Sequence, residues 1–468
     1  MPNLPGLSRR LITGNEDEFG LYYRALKFPG RRRQVSADRK RQELLASLAE
    51  QLQWTAGGTK PHIGELSPGC QQCVAGNWSC LFINASCNAS CFYCPTAQDR
   101  GEIPATNNLS FRHPRSYTTY LKRLGFSGSS ISGGEPLLTL NRTLAFLRAA
   151  RKGLGKHGHL WMYTNGILLT REIAGQLAEA GLDEIRFDIG ATGYKCHKIA
   201  EAKGLIPVIS IEIPAVPEAV STLKQVLPEL PELGVNHLNL HQLRLTQHNF
   251  RQMNERNYTF LHGEKITVLD SELAALEILS FVHRTQLNLP VNYCSFVFKH
   301  RHQKAAALRR VAQLDKRPWE TVTRAGFIRK LALCGEAKQL QQQVELWQQT
   351  GQDTALWNLS TAASRLEISP QLIPLIRWHR LRLTVSYAQV QLMQEGKLEP
   401  DEWTIPLDSG EVARVIRRAV SSEILLGPTA TRQFSETWLA EVSPANVPVS
   451  QRIFGKWEHI PEGLQPYF

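Results

Sequence analysis

Three cysteines in one short stretch, Cys87-Asn88-Ala89-Ser90-Cys91-Phe92-Tyr93-Cys94-Pro95, are the chemically richest feature of this 468-residue chain. Thiolates prefer soft metals. A tight loop with this spacing can set three of them at adjacent corners of one [4Fe–4S] cubane and leave one iron open to a substrate or cofactor. A structural zinc or iron knuckle completed by a distant fourth cysteine is the other chemistry the triplet allows. The chain has nine cysteines, an odd and unevenly placed set, with five between Cys70 and Cys91. That is no disulfide framework, and its local density argues for metal ligation in a reducing compartment. Cys70-Gln71-Gln72-Cys73 is half a metal site. With Cys294, and with Cys80 close by in sequence, it is a candidate for a second metal, either an auxiliary cluster or a single iron or zinc; reduced, unliganded thiols are the alternative.

Groups able to position a ligand recur at regular intervals after the cysteine loop. In Ser132-Gly133-Gly134-Glu135-Pro136 the glycines let the backbone approach a neighbour closely, and the carboxylate can accept hydrogen bonds from an ammonium. In Tyr163-Thr164-Asn165-Gly166 short polar side chains at a turn can reach a ribose or a carboxylate. Asp188 can accept from hydroxyls.

The elements that must carry these groups are legible as alternating short apolar runs and helical patterns, the signature of βα units and a parallel sheet. Six strands are expected, at 81–84, 129–132, 159–163, 184–189, 207–213 and 237–240. Helices are expected between them at 116–124, 140–153, 170–180, 196–203 and 220–230. Each motif then falls at a strand's carboxyl end, where α/β sheets keep their chemistry. The fold class is α/β, a partial (β/α)6 barrel of parallel strands spanning residues 81–315 with a post-barrel strand (291–297) and basic helix (300–312). An N-terminal extension, 1–80, carries the Cys70/Cys73 pair and an amphipathic helix over 39–53; a smaller mixed α/β domain, 316–468, is read as helical from 318 to 363 with strands near 382–387 and 403–406.

These residues resemble the radical S-adenosylmethionine (SAM) superfamily, whose hallmark is three cysteines at this spacing with an aromatic, here Tyr93, before the last. The resemblance covers roughly 81–243 and includes the Gly-Gly-Glu-Pro and Thr-Asn-Gly elements. It implies a cluster on Cys87, Cys91 and Cys94 whose open iron chelates SAM. It also implies SAM contacts at Tyr93, Gly133, Gly134, Glu135, Thr164, Asn165 and Asp188, with the amino group at the Gly-Gly-Glu element and Asp188 standing where relatives often carry serine or asparagine. Reductive cleavage of SAM then gives methionine and a 5′-deoxyadenosyl radical that takes hydrogen from a substrate, fed by a low-potential donor such as flavodoxin or ferredoxin. The stretches around Cys70 and Cys294 resemble a subgroup named for likeness to pyruvate formate-lyase activating enzymes. A non-catalytic iron–sulfur sensor or nucleic-acid-binding regulator on the same fold would need the cysteines but not the SAM-binding elements.

Composition narrows the classes further. With 42% hydrophobic and 21% charged residues the chain can bury a core and lacks the signature of disorder. No apolar run approaches the roughly 20 residues of a membrane span, and Glu16, Asp17 and Glu18 stand where a signal peptide keeps its apolar core, so the cytoplasm is expected. A net charge of +12 suggests an anionic partner, and ten basic residues against two acidic ones between Lys299 and Lys330 concentrate it. Arg301, Lys304, Arg309 and Arg310 on one helix could meet phosphates of RNA or an anionic protein.

Overall fold

The computed structural model describes residues 5–48, 50–97, 103–106, 108–362, 364–394, 402–440 and 447–468. In chain order its first unit runs α1 (Arg31–Ala46), β1 (Gln53–Thr55), β2 (Lys60–Ile63), α2 (Pro68–Ala75), β3 (Trp78–Phe82), α3 (Pro114–Arg123), β4 (Gly128–Ser132), α4 (Leu140–Leu154), β5 (His159–Thr164), α5 (Arg171–Glu179), β6 (Glu184–Phe187), β7 (Val208–Pro214), α6 (Val220–Val226), β8 (His237–His241), α7 (Leu269–Arg284) and β9 (Val291–Cys294). The six expected strands are β3 to β8, with ends moved by at most three residues. The helix expected at 196–203 is a 3-10 turn, His197–Glu201.

The parallel run of the sheet is one strand longer than the sequence suggests. The post-barrel strand is β9, parallel to β8 in the register Leu238↔Val291 to His241↔Cys294. From β3 to β9 neighbouring strands are parallel throughout. The sheet stays open, ending on this side in the antiparallel hairpin of β1 and β2, with β2 against β9. Ile131, Leu160, Ile185, Ile209, Ile211 and Leu238 are buried, as strands covered by crossover helices require.

The first 80 residues are part of this unit rather than an appendage. Beyond the pairing of β2, Arg41 of α1 reaches Glu272 of α7 at 3.2 Å. Helix α2 packs where the strands begin: the Gly69 N–H donates to the Glu184 carboxylate at 3.0 Å, and a Cβ on Gly69 would stand 2.3 Å from the Arg186 guanidinium, so a side chain there would have to displace it. Arg186, buried on β6, donates to Glu184 (2.8 Å), Glu212 of β7 (2.9 Å) and the N-capping Ser67 hydroxyl of α2 (3.0 Å). His159 and Ser210 complete the ring around Glu184, each at 2.8 Å.

The chain divides into two compact units, residues 1–303 with 407–411 and 462–468, and residues 304–406 with 412–461. The break therefore falls after a π-helical turn, Phe298–Gln303, and not at 80/81 or 315/316. The second unit is mixed α/β, with a core that includes Leu333, Leu340, Trp347, Leu383, Tyr387 and Phe454. Its expected helix over 318–363 is corrected: Ile328–Cys334 is a strand paired on both sides, with Leu366–Ile368 and Arg382–Met393, and only Ala337–Gln349 is α-helical there. Tertiary pairing of an apolar run has overridden its local helical pattern; Ala363 lies outside the described residues. The basic stretch is divided between the two units. Lys299 and Arg301 belong to the first unit, where Arg301 stands 3.6 Å from Glu264. In the second unit Arg309 donates to the Arg324 carbonyl, and Arg329 is buried against Glu458 at 2.9 Å. Among the described residues no helix is long and apolar enough to cross a membrane.

Candidate active site

The cysteine loop begins where β3 ends. Pairing with β4 continues one step further through the Ile83 N–H and the Ser132 carbonyl (2.8 Å), and the Gly-Gly turn then lies directly on the loop's first residues. Gly134 N–H donates to the Asn84 carbonyl (3.1 Å) and Glu135 N–H to the Ser86 carbonyl (2.7 Å). A Cβ on Gly134 would lie 2.0 Å from the Ser86 oxygen, and Gly133, at φ +140°, would meet the Asn84 oxygen at 2.5 Å. The close approach these glycines permit is therefore to the cysteine loop. On its far side the loop is held by Asn249, whose amide donates to the Tyr93 carbonyl at 3.2 Å, and by the Arg256 guanidinium, 3.5 Å above the Phe92 ring.

Cys87, Cys91 and Cys94 line one cavity of about 420 Å³ together with Tyr93, Gly133, Gly134, Glu135, Thr164, Asn165 and Asp188, so every group expected to meet the cluster or SAM faces the same space. Burial pushes the Cys91 thiol up to about 12, with the negative Asp188, Cys87 and Cys94 adding to it; burial raises Cys87 as well. Three half-buried thiols in one loop, with Cys87 and Cys91 made harder to ionise by burial, are a donor set that suits a cubane with one open iron. Bound there, such a cluster with SAM supplies one-electron cleavage of a sulfonium.

The carboxylate of Glu135 has a different setting from the open acceptor read from the sequence. It is buried and accepts from the Thr164 hydroxyl (2.8 Å), the Leu137 N–H (3.0 Å) and the Asn165 N–H (2.7 Å), so it ties the two glycine turns together. Asn165 then reaches the cysteine loop, donating to the Asn88 side chain at 2.7 Å and lying 3.7 Å from the Cys87 sulfur. Asp188 accepts from the Tyr93 hydroxyl at 3.0 Å; burial lifts its carboxyl to about 6, while that hydroxyl and the N–H groups of Ala191 and Gly190 hold it back.

The rest of the cavity lining includes Cys80, singled out in the sequence only beside the second-metal candidates, and residues given no role there: Tyr163, Arg186, Glu212, His241, Arg244, Phe296 and Lys299. A charge inside an apolar strand run, Glu184 and Arg186 in β6 and Glu212 in β7, was the available signal, since complementary charges on adjacent strands mark a polar barrel interior. Cys80 stands in this lining, its thiol pushed up to about 11 by burial.

Cys70, Cys73 and Cys294 are also brought together, deeper in the sheet. Cys73 and Cys294 share an apolar cluster with Trp161 and Phe298, and the Cys70 sulfur lies 3.5 Å from the Asn239 side-chain oxygen. Among the described residues no three Cys, His, Asp or Glu side chains, neither this trio nor Cys87, Cys91 and Cys94, are set to hold a single metal ion. The trio lies close enough to the buried ammonium of Lys60 for their charges to interact; that ammonium donates to Asn292 at 2.6 Å and lies 4.9 Å from the Phe298 ring centroid.

The radical SAM superfamily profile matches residues 81–206. A Methanocaldococcus jannaschii protein named provisionally as a glycyl-radical enzyme activating enzyme is 28% identical over 281 residues, 56% of this chain and 72% of that one. A protein of Methanopyrus kandleri named for GTP 3′,8-cyclase activity is 29% identical over 170 residues, and the match spans about half of that relative, 52%, and 33% of this chain. Coproporphyrinogen III oxidase of Escherichia coli, described as a radical SAM enzyme, superposes with a TM-score of 0.31 at 10% identity over 65% of this chain and 90% of its own, too loosely to carry residue correspondences. The chain thus carries a radical SAM domain, over the strands that hold the cysteine loop and both glycine turns.

Proposed function

We propose that this protein is an enzyme that binds a [4Fe–4S] cluster through Cys87, Cys91 and Cys94, cleaves SAM reductively, and directs the resulting radical to a hydrogen of a substrate held in the same cavity. The convergence of three thiols, both glycine turns and Asp188 on one space supports this most. The chain's own groups do the positioning. Glu135, Thr164 and Asn165 fix the loop, the Tyr93–Asp188 pair offers a carboxylate to ribose hydroxyls, and the walls exclude competing hydrogen donors. The Methanocaldococcus jannaschii relative's name points to a protein as the object of the radical, and a low-potential donor such as flavodoxin or ferredoxin would supply the electron. Anaerobically reconstituted, dithionite-reduced protein given SAM should release 5′-deoxyadenosine and methionine; reconstituted protein that releases neither would defeat the reading.

In the same reading the Cys70, Cys73 and Cys294 trio is a packed part of the barrel interior and not a second centre, because its thiols contact side chains and a buried ammonium lies close to them. Reconstituted wild type should therefore hold about four irons per chain, and Cys70→Ala/Cys73→Ala the same number. Iron well above that in wild type, lost in the double variant, would reinstate an auxiliary cluster.

A further inference from the structure

The two sides of the cavity differ in charge. The cysteine-loop side carries the thiols, Glu135 and Asp188; the far side is built by strand ends beyond residue 206, where Glu212, His241, Arg244, Phe296 and Lys299 face inward. Glu212 is already engaged, by Arg186 at 2.9 Å and His241 at 3.2 Å. Lys299 and Arg244 are not. Among the described residues neither has a carboxylate within 4.0 Å. Arg244 is held in place all the same: its guanidinium lies 5.7 Å from the Phe296 ring centroid, and its backbone bridges to Thr267. Burial depresses its pKa, against the weaker pull of the Glu18 carboxylate, which lies beyond ion-pair distance. Lys299 stands at the turn after β9, close enough for its charge to depress both Glu212 and His241.

We propose that Lys299 and Arg244 form an oxyanion subsite that holds a phosphate or carboxylate of the substrate against the far wall, opposite the cysteine loop. An arginine fork suits two oxygens of either group, and a lysine adds a point charge beside it. Two half-buried cations with no carboxylate within ion-pair distance gain from an anion that enters the cavity they line. The role in substrate binding rests on the radical SAM reading; the anion binding itself does not.

Equilibrium dialysis of the full-length reconstituted protein against pyrophosphate in one arm and succinate in the other, each with and without SAM, tests this. Wild type should bind at least one of the two saturably. Lys299→Gln and Arg244→Gln should each weaken binding about tenfold or more, Arg244→Lys should recover part of it, and the exposed control Arg251→Gln should leave it unchanged. Preference for pyrophosphate assigns a phosphorylated substrate, and preference for succinate a carboxylate. Absence of saturable binding to wild type, equal affinity in the two glutamine variants, or displacement of the anion by SAM would each overturn the proposal, the last by giving these cations to the carboxylate of SAM. Circular dichroism checks each variant's fold, with Arg244→Lys as the conservative arm. Wild type that binds anion but releases no 5′-deoxyadenosine would sink the radical reading alone; the reverse result would sink the subsite alone.

Discussion

Arg186→Met should destabilise the first unit by about 3–5 kcal/mol, because it removes the guanidinium shared by two buried carboxylates, Glu184 and Glu212. The sign of the pH dependence makes the test specific. In the folded chain burial pushes the Glu184 carboxyl up, but Arg186 and His159 pull it further down, to about 2; Glu212 is likewise held below its ordinary value. A folded value below the unfolded one adds stability that is fully present above the unfolded value of 4.5 and lost as pH falls toward 2. Without Arg186 burial prevails, both carboxyls rise, and the dependence reverses: the variant should gain stability as pH falls toward 4.5. Urea midpoints at about pH 5 and pH 8 read that sign, and adding Glu184→Gln and Glu212→Gln should recover most of the loss. A variant as stable as wild type at neutral pH would show that the ring around Arg186 does not hold the barrel interior.

Gly134→Ala should leave the fold standing and remove the cluster. The new methyl would stand 2.0 Å from the Ser86 oxygen and push residues 84–86 away, and those residues lead directly into Cys87. Displacing a positioned group by an ångström costs about 100-fold in rate, so 5′-deoxyadenosine release should fall at least that far and iron content should drop well below wild type. Circular dichroism and the thermal midpoint should change little by comparison. Wild-type iron content and turnover in Gly134→Ala would mean that the turn does not support the loop.

The cysteine loop and the two glycine turns were legible because their chemistry is local: three thiols, or a glycine pair and a carboxylate, carry their signal in a few adjacent residues. Six strands were legible for a similar reason, an apolar run closed by turn residues. Strand β9 was read as lying outside the barrel because residues 242–268 interrupt the βα rhythm, and only its pairing with β8 and β2 places it in the sheet. Glu135 was read as an acceptor for a ligand because a carboxylate's partners cannot be seen in sequence; Thr164, Asn165 and Leu137 occupy it. Arg244 left no trace, and Lys299 was legible only as the first charge of a basic stretch; neither is distinguishable from a solvated residue until the fold brings both to one cavity.

Electron paramagnetic resonance of the reduced, reconstituted protein before and after SAM is added tests most directly whether Cys87, Cys91 and Cys94 hold a cubane with a vacant iron. The wild-type cluster signal should shift on SAM addition, since chelation changes the ligands of one iron, and Cys91→Ala should show no such cluster. A signal that SAM leaves unchanged, or a SAM-responsive cluster that survives in Cys91→Ala, would contradict it.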